Sequence, residues 1–315
     1  MFRYVLARAV QMLPLLAVIS FLSFVLIHLV PGDPAVIMAG MQAPDSVIEQ
    51  VRQEMGLDRP FHTQVLDWYQ ALVIRGDLGR SYFFHAPVTQ ALAERLPFTL
   101  TLAALSMLVA TIVGVTLGSI AASAAGTFLD RAILVMSLVG IAMPGFWVGL
   151  VMMFYFAVDL GWFPTGGYTP PIEGVVPWLR SLALPVFSLA LLESALITRM
   201  TRASLLDVLG EDYIRTAHAK GVGHRRVLTR HGLRNSLIPI ITIVGTSFGN
   251  MIGGAVIIEM VFSLPGIGRL VTMAILSRDY PLIQGTMLVI GIIYVVVNLI
   301  VDVLYVAVDP RISYA

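Results

Sequence analysis

Uncharged apolar blocks separated by short polar segments make up most of the chain. The first block, residues 9–30, contains no Asp, Glu, Lys or Arg. A helix needs about 20 apolar residues to cross a bilayer, so this block is long enough to span one. The third block contains Pro144-Gly145, which predicts a bend in its helix. The pattern predicts an all-α, polytopic integral membrane protein with six transmembrane helices, the remaining five over residues 96–129, 132–158, 181–200, 235–258 and 282–308.

The segment between the first two blocks has a different, polar composition. Residues 33–95 contain eight acidic residues and five arginines among scattered apolar positions. Asp45 is a favourable start for a helix that runs to Met55, and a second helical pattern runs from Phe61 to Gly76, where glycine ends a helix. We therefore predict a small helical excursion outside the membrane after the first transmembrane helix.

Residues 205–239 form the one long basic interval between apolar blocks in the later part of the chain. Glu211 and Asp212 stand where a helix N-terminus favours negative charge, and Gly221 is expected to end that helix with a positive φ. A second, basic helix is predicted over residues 224–236. The interval is either a solvated loop that sets membrane orientation or a surface on which small residues let a partner approach closely.

The amino-acid composition agrees with a membrane protein and argues against a soluble domain, a nucleic-acid-binding protein and an enzyme that uses thiols. Hydrophobic residues make up 57% of the chain and charged residues 12%, with a mean hydropathy of +0.86. Charged residues make up about a quarter of a soluble domain. The net charge of +1, with basic residues grouped in one loop, makes nucleic acid an unexpected partner. The absence of cysteine excludes disulfides and thiol catalysis.

Positive charge is distributed unevenly between alternate connections. With six spans and the N-terminus inside, the short outer segments hold only three basic residues, Arg180, Arg269 and Arg278. The short inner segments hold twelve: Arg3, Arg8, Arg131, Arg199, Arg202, Arg215, Lys220, Arg225, Arg226, Arg230, Arg234 and Arg311. Cytoplasmic connections carry such an excess, so both termini and the 205–239 loop are predicted to be cytoplasmic.

Glycines recur every four residues in two of the apolar blocks. Gly114 and Gly118 lie in the second block, and Gly245, Gly249 and Gly253 lie in the fifth. Small residues at this spacing share a helix face and let a neighbouring helix approach closely. All five are therefore predicted to pack helices together.

Two carboxylates lie inside apolar blocks, Glu193 and Asp302. A charge at bilayer depth costs about 2.5–3.5 kcal/mol on insertion scales, so each needs a reason to be there. Glu193 either lines a translocation path or is a structural partner for a neighbouring helix, and both interpretations stay open. Asp302 lies near the inner end of its helix, where a structural hydrogen bond is favoured.

Motifs of catalysis are absent from the sequence. It contains no G-x-x-x-x-G-K-[ST] loop, no H-E-x-x-H and no G-x-S-x-G. We therefore predict no catalytic residue, metal site or cofactor, and any ATP hydrolysis has to come from another chain. An intramembrane enzyme that uses Glu193 or Asp302, and an ion-coupled carrier, remain alternatives.

Several short sequences resemble a known family. Arg215-Thr216-Ala217, then Gly221, then Leu237-Ile238-Pro239 resemble the EAA, G and LP elements of permease subunits from binding-protein-dependent ABC importers. Arg215 and Thr216 replace the Glu and the first Ala of that pattern. The sequence EDYIRTAHAKG followed by HGLRNSLIP is similar to sequences in the dipeptide and oligopeptide permease branch of that family. Further similarity lies at residues 31–34 (PGDP), 76–79 (GDLG) and 309–311 (DPR).

The resemblance implies a fold, partners and a site. It implies a type I ABC importer permease architecture in the bacterial inner membrane, working with a second homologous permease, two ATP-binding subunits and a periplasmic substrate-binding protein. The 205–239 loop would contact the ATPase through Arg215, Ala217, Ala219, Gly221, Gly223, Arg225 and Arg226. Peptides, including glutathione, are the implied substrates, with nickel chelates and opines as alternatives.

The same resemblance and the block pattern divide the chain into three parts. Residues 1–96 are predicted to form the first transmembrane helix with a periplasmic excursion. Residues 97–309 are predicted to form the five-helix permease core, and residues 310–315 a short cytoplasmic tail.

Overall fold

The fold is all-α, as predicted. A computed structural model describes residues 2–29, 33–40 and 42–308, where the one extended pairing is an isolated bridge between Arg80 and Pro87. The predicted tail and the DPR sequence lie outside the described residues, as do Pro31 and Gly32. The first helices are α1 Phe2–Leu29, α2 Pro34–Ala39, α3 Asp45–Glu54 and α4 Phe61–Arg75.

Most of the remaining described chain is also helical, with two π-helical continuations. The second of these, Val227–Leu233, lies in the predicted loop. The elements are α5 Val88–Ser123, α6 Phe128–Ala142, α7 Gly145–Met152 continued by a π-helix to Asp159, α8 Val175–Leu209, α9 Asp212–Ala219, α10 His224–Arg226 continued by the π-helix to Leu233, α11 Leu237–Val261, α12 Ile267–Leu276 and α13 Tyr280–Val308.

Four described helices, α5, α8, α11 and α13, are long and apolar enough to cross a membrane. The α6–α7 pair is bent by 99° at Met143-Pro144, and counts as a fifth span if it crosses as one unit. Proline cannot donate the helical hydrogen bond and clashes with the preceding turn, which explains the predicted bend. In α1, the apolar helix recognised over Val10–Val25 is shorter than a full span. The count of six therefore stays a prediction.

Most of the long helices begin earlier than their apolar blocks, although α11 begins at Leu237, two residues after its predicted start. Helix α5 starts at Val88 rather than residue 96, and α8 starts at Val175 rather than residue 181. Hydropathy detects only the apolar part of a helix, whereas polar residues at its ends keep helical backbone bonds. The predicted boundary between residues 96 and 97 consequently falls inside one continuous helix that contains Pro97.

Both helices predicted in the excursion are confirmed. Helix α3 covers the predicted interval from Asp45, and α4 ends where Gly76 adopts φ +62°. The Gly76 N–H donates to the carbonyl of Leu72 at 3.1 Å. This left-handed end is the conformation that glycine adopts without steric cost.

Two compact units make up the described chain. One comprises residues 2–7, 98–265 and 296–308, and its core is formed by α5, α8 and α11 around residues such as Leu102, Ile197 and Phe262. The other comprises the described residues within 8–97 and 266–295. Its own core includes Val88, Leu92, Leu270, Ala274 and Leu282. The first predicted domain therefore shares a core with residues far along the sequence.

Candidate functional site

The first loop helix, α9, ends at a left-handed glycine. Gly221 has φ +78°, which confirms the expected positive φ at this position. Its N–H donates to the His218 carbonyl at 2.9 Å, and the Val222 N–H donates to the Ala217 carbonyl at 3.1 Å. These bonds satisfy carbonyls that the helix end would otherwise leave open. The helix therefore stops sharply before the second, basic helix begins.

Helix α9 is anchored on one side and open on the other. Ile214 is 2% exposed and is the one buried residue of this helix. The Asn235 side-chain amide donates to the Tyr213 hydroxyl oxygen at 2.9 Å. Together these contacts hold α9 against the following helical segment. Arg215 and Ala219 are exposed, whereas Ala217 is half-buried.

The second loop helix is seated on the end of α8. A Cβ at Gly232 would lie 3.1 Å from a methyl carbon of Leu205, so the two segments approach closely. The Ser236 hydroxyl donates to the Ser204 carbonyl at 3.2 Å. Both contacts join the loop to the C-terminal part of α8.

The predicted coupling residues lie mostly on the open side of the loop. Arg225 and Arg226 are exposed, and so are Gly221 and Gly223. A Cβ at either glycine would meet nothing within 4 Å. No described residue of this chain covers the surface that these residues form, and the surface carries positive charge.

A buried ion pair lies at the base of the loop. The Arg202 Nε and Nη2 atoms of α8 lie 2.5 and 2.8 Å from the two carboxylate oxygens of Asp130 in the first turn of α6. The Gly126 N–H donates to the same carboxylate at 2.9 Å, and Asp130 is 2% exposed. Our sequence interpretation missed Asp130. Thr127, which caps α6 three residues earlier, was the available signal.

Glu193 is a buried acid on the side of α8 that faces α11. It is 4% exposed on α8 and faces Ser247 of α11. Its Oε2 atom has no hydrogen-bond partner among the described residues. Glu193 is in the wall of neither the cavity of about 380 Å³ beside α11 and α13 nor the cavity of about 260 Å³ beside α4. Glu193 is therefore buried beside α11.

Two further buried acids were not singled out from the sequence. Glu259 of α11 is completely buried, and the Thr99 hydroxyl donates to it at 2.7 Å. Asp279, at the start of α13, accepts hydrogen bonds from the Ser81 hydroxyl and from the Phe83 N–H, the latter at 3.0 Å. Each acid stands at the end of an apolar stretch, which was the only local signal. Asp302 is also buried.

The predicted packing glycines differ in how closely they are approached. A Cβ at Gly114 would lie 2.6 Å from the Cβ of Ile197, and one at Gly118 would lie 2.6 Å from the Thr198 carbonyl oxygen. Helices α5 and α8 therefore approach closely at these positions.

The fifth-block glycines spread over more than one face of α11. A Cβ at Gly245 would overlap Val301 of α13. Gly249 is half-buried, and Gly253 is exposed with nothing within 4 Å. Each four-residue step rotates about 40° around a helix of 3.6 residues per turn, so the three glycines cannot share one narrow contact. In the part of the chain that the structure describes, no helix packs against Gly253.

Comparison with known proteins gives matches over nearly the full length. Residues 114–314 match the family described as "Binding-protein-dependent transport system inner membrane component", and residues 1–103 match the corresponding N-terminal family. A Brucella abortus protein assigned as a peptide transport system permease is 43% identical over 310 residues, covering 98% of both chains. The glutathione transport system permease protein GsiC of Salmonella typhi is 41% identical over 315 residues, covering 100% of both chains.

A solved structure supports the fold. The MetNI methionine ABC transporter in an inward-facing conformation aligns with a TM-score of 0.58 at 17% identity, covering 70% of this chain and 97% of that chain. The architecture is therefore that of a type I ABC importer permease. On these matches, the chain belongs to the family of binding-protein-dependent transport system inner membrane components, the membrane-spanning permeases of ABC importers.

Proposed function

We propose that this chain forms half of the translocation path of a peptide importer and couples it to separate ATPase subunits. The observation that carries the proposal is the open, basic surface of the 205–239 loop, which is anchored on α8 by Gly232 and Ser236. A rigid, exposed helix with a glycine-limited end is suited to seat in a groove of a partner. The full length of the chain contains no ATP-binding motif, so the nucleotide has to bind elsewhere.

The proposed orientation follows from charge. The loop, both termini and the residues 310–315 are placed in the cytoplasm, and the excursion within residues 1–96 is placed in the periplasm of a bacterial inner membrane. The core within residues 97–309 supplies the path. The twelve-to-three distribution of basic residues between inner and outer short segments supports this arrangement.

The proposed partners are a homologous second permease, two ATP-binding subunits and a periplasmic substrate-binding protein. One permease supplies only one wall of a path, so a second permease completes it. Closure of the ATPase pair on ATP would move the loop, and the loop contacts with Leu205 and Ser204 would pass that movement to α8. The cavity would then open alternately to each side of the membrane.

Peptides are the proposed substrate class, because relatives named for peptide and glutathione transport match the chain over its whole length. Nickel chelates and opines are the alternatives within the family. The chain would be assembled with a candidate second permease, ATPase subunits and binding protein from the same organism, and uptake of radiolabelled dipeptide would be measured in proteoliposomes. We expect uptake that requires both ATP and the binding protein.

The coupling role can be tested by placing a bulky side chain on the exposed side of α9. Ala219 is exposed, whereas Ala217 is half-buried and its enlargement would also disturb packing within the loop. Ala219→Trp is therefore expected to leave the chain inserted and folded, but to weaken ATPase co-purification. Overpacking a fitted contact costs about 1–3 kcal/mol, or roughly 5- to 150-fold in affinity. Wild-type ATPase association in this variant would refute the coupling role of the loop.

A further inference from the structure

A cavity of about 260 Å³ lies within the unit formed by residues 8–97 and 266–295, and none of the residues in its wall belongs to the 205–239 loop. Its wall combines the aromatic rings of Trp68 and Tyr82 with the carboxylates of Asp67 and Asp77. Since a water molecule occupies about 30 Å³ of liquid, there is room for a ligand of about eight non-hydrogen atoms. No function described above uses this cavity.

The aromatic side of the cavity is held in place by neighbouring rings. The Trp68 ring lies 5.6 Å from the Phe24 ring and 5.1 Å from the Tyr69 ring, the latter edge-on. The Tyr69 hydroxyl lies 2.9 Å from the Ser20 hydroxyl, which ties this cluster to α1. Trp68 is therefore a fixed apolar surface, and its face is one that favours a cation.

Most polar groups in the wall already have partners inside the protein. The Asp67 carboxylate is paired with Arg59 at 2.8 Å. The Gln64 amide donates to the Arg59 carbonyl at 2.8 Å, and the Gln284 amide donates to the Phe24 carbonyl at 3.3 Å. These contacts fix the shape of the cavity. They also mean that the Asp67 carboxylate adds no net charge to it, because Arg59 neutralises that carboxylate.

Asp77 supplies that charge. Its Oδ1 atom accepts the Gly79 N–H at 2.8 Å, a contact that fixes the side chain at the cavity wall. In the described part of the chain Asp77 has no ion-pair partner, and it is exposed. The cavity thus presents one uncompensated negative charge beside two aromatic rings.

We propose that this cavity binds a primary alkylammonium group, with Asp77 as its counter-ion and with Trp68 and Tyr82 against its alkyl chain. A carboxylate beside aromatic faces attracts an organic cation and repels an anion. The source of the ammonium rests on the proposed function: in a peptide importer it is the amino terminus of an incoming peptide, and otherwise it is a free amine.

The test uses the full-length chain in lipid nanodiscs with Trp68 as its only tryptophan. Trp147, Trp162 and Trp178 are replaced by Phe, and Trp68 fluorescence is followed during titration with pentylammonium, with uncharged pentanol in parallel. Calorimetry on the chain with all four tryptophans repeats the titration, which guards against damage from the replacements. We expect saturable binding of pentylammonium and much weaker binding of pentanol.

Two matched variants test the counter-ion. Asp77→Asn keeps the oxygen that accepts the Gly79 N–H but removes the charge, and should weaken pentylammonium binding about fivefold, the upper range for an exposed ion pair. Asp58→Asn removes an exposed charge of the same excursion that lies outside the cavity wall, and should leave binding unchanged. Equal binding of pentanol, no effect of Asp77→Asn, or no saturable signal would overturn the proposal.

Competition identifies the source of the ammonium. Displacement of pentylammonium by alanyl-alanine but not by its N-acetyl form assigns the site to peptide amino termini. Binding of pentylammonium that neither dipeptide displaces assigns the site to free amines and still supports its chemistry. Dipeptide uptake by the assembled importer is measured separately. Absent pentylammonium binding with intact dipeptide uptake refutes this site alone. Absent dipeptide uptake with intact pentylammonium binding refutes the proposed function alone.

Discussion

The guanidinium of Arg202 on α8 binds both carboxylate oxygens of Asp130 on α6, although the two residues are 72 apart in sequence. Only 3% of the Asp130 side chain and 23% of the Arg202 side chain are exposed, so water screens this pair weakly. Residue 205, where the loop begins, follows closely after Arg202. The pair therefore fixes the start of α6 to the helix that carries the loop.

Asp130→Asn is expected to destabilise the protein. The asparagine oxygen can still accept the Gly126 N–H, but the guanidinium of Arg202 loses its charged partner, so the variant should unfold at a lower temperature. Thermal unfolding in detergent measures the change. Asp207→Asn, which removes an exposed acid from the same helix as Arg202, is the control. Equal melting temperatures for the two variants would contradict the role of the pair.

Gly221 and Gly223 allow the effect of backbone strain to be separated from that of side-chain size. Gly221 has φ +78° and Gly223 has φ −60°, and neither would bring a Cβ near another atom. Gly221→Ala is therefore expected to strain the loop by about 1–3 kcal/mol, and Gly223→Ala is not. Hydrogen exchange of the α9 amides measures local opening. Indistinguishable exchange in the two variants would show that the loop tolerates a left-handed alanine.

Glu193 is expected to act in assembly rather than in passage of substrate. Glu193→Gln keeps the size and polarity of the side chain that faces Ser247, and should give near-normal complex and uptake. Glu193→Ala leaves a gap at a buried polar contact, costs about 1–3 kcal/mol, and should lower complex and uptake in parallel. The measured quantity is uptake per assembled complex. A fall in this ratio for Glu193→Gln at normal yield would instead assign Glu193 to the path.

Gly118 and Gly253 make a matched pair for helix packing. A Cβ at Gly118 would lie 2.6 Å from a backbone oxygen of α8, whereas one at Gly253 meets open space. Gly118→Ala is expected to destabilise by about 1–3 kcal/mol through overpacking. Gly253→Ala should be neutral or stabilising by up to about 1 kcal/mol, because alanine favours helix. The measurement is the free energy of unfolding of the isolated chain, compared between the two variants. A lower free energy of unfolding for Gly253→Ala would contradict the conclusion that the space around Gly253 is open.

The sequence by itself determined the features that depend on local composition and spacing. Apolar block length located the helices α5, α8, α11 and α13, because bilayer-spanning helices need long uncharged stretches. Turn chemistry located the end of α4 at Gly76 and of α9 near Gly221, because both need φ values that glycine adopts freely. The Pro144 bend followed for the same local reason.

Only the tertiary structure decided which distant side chains meet. Arg202 with Asp130 and Thr99 with Glu259 are separated by 72 and 160 residues, and no periodicity encodes such a pairing. It also decided that Gly118 is tightly packed and Gly253 open, although both lie in four-residue glycine patterns. A pattern states which face of a helix is small or apolar. Whether another helix covers that face depends on how the helices pack, which is a property of the whole chain and its partners.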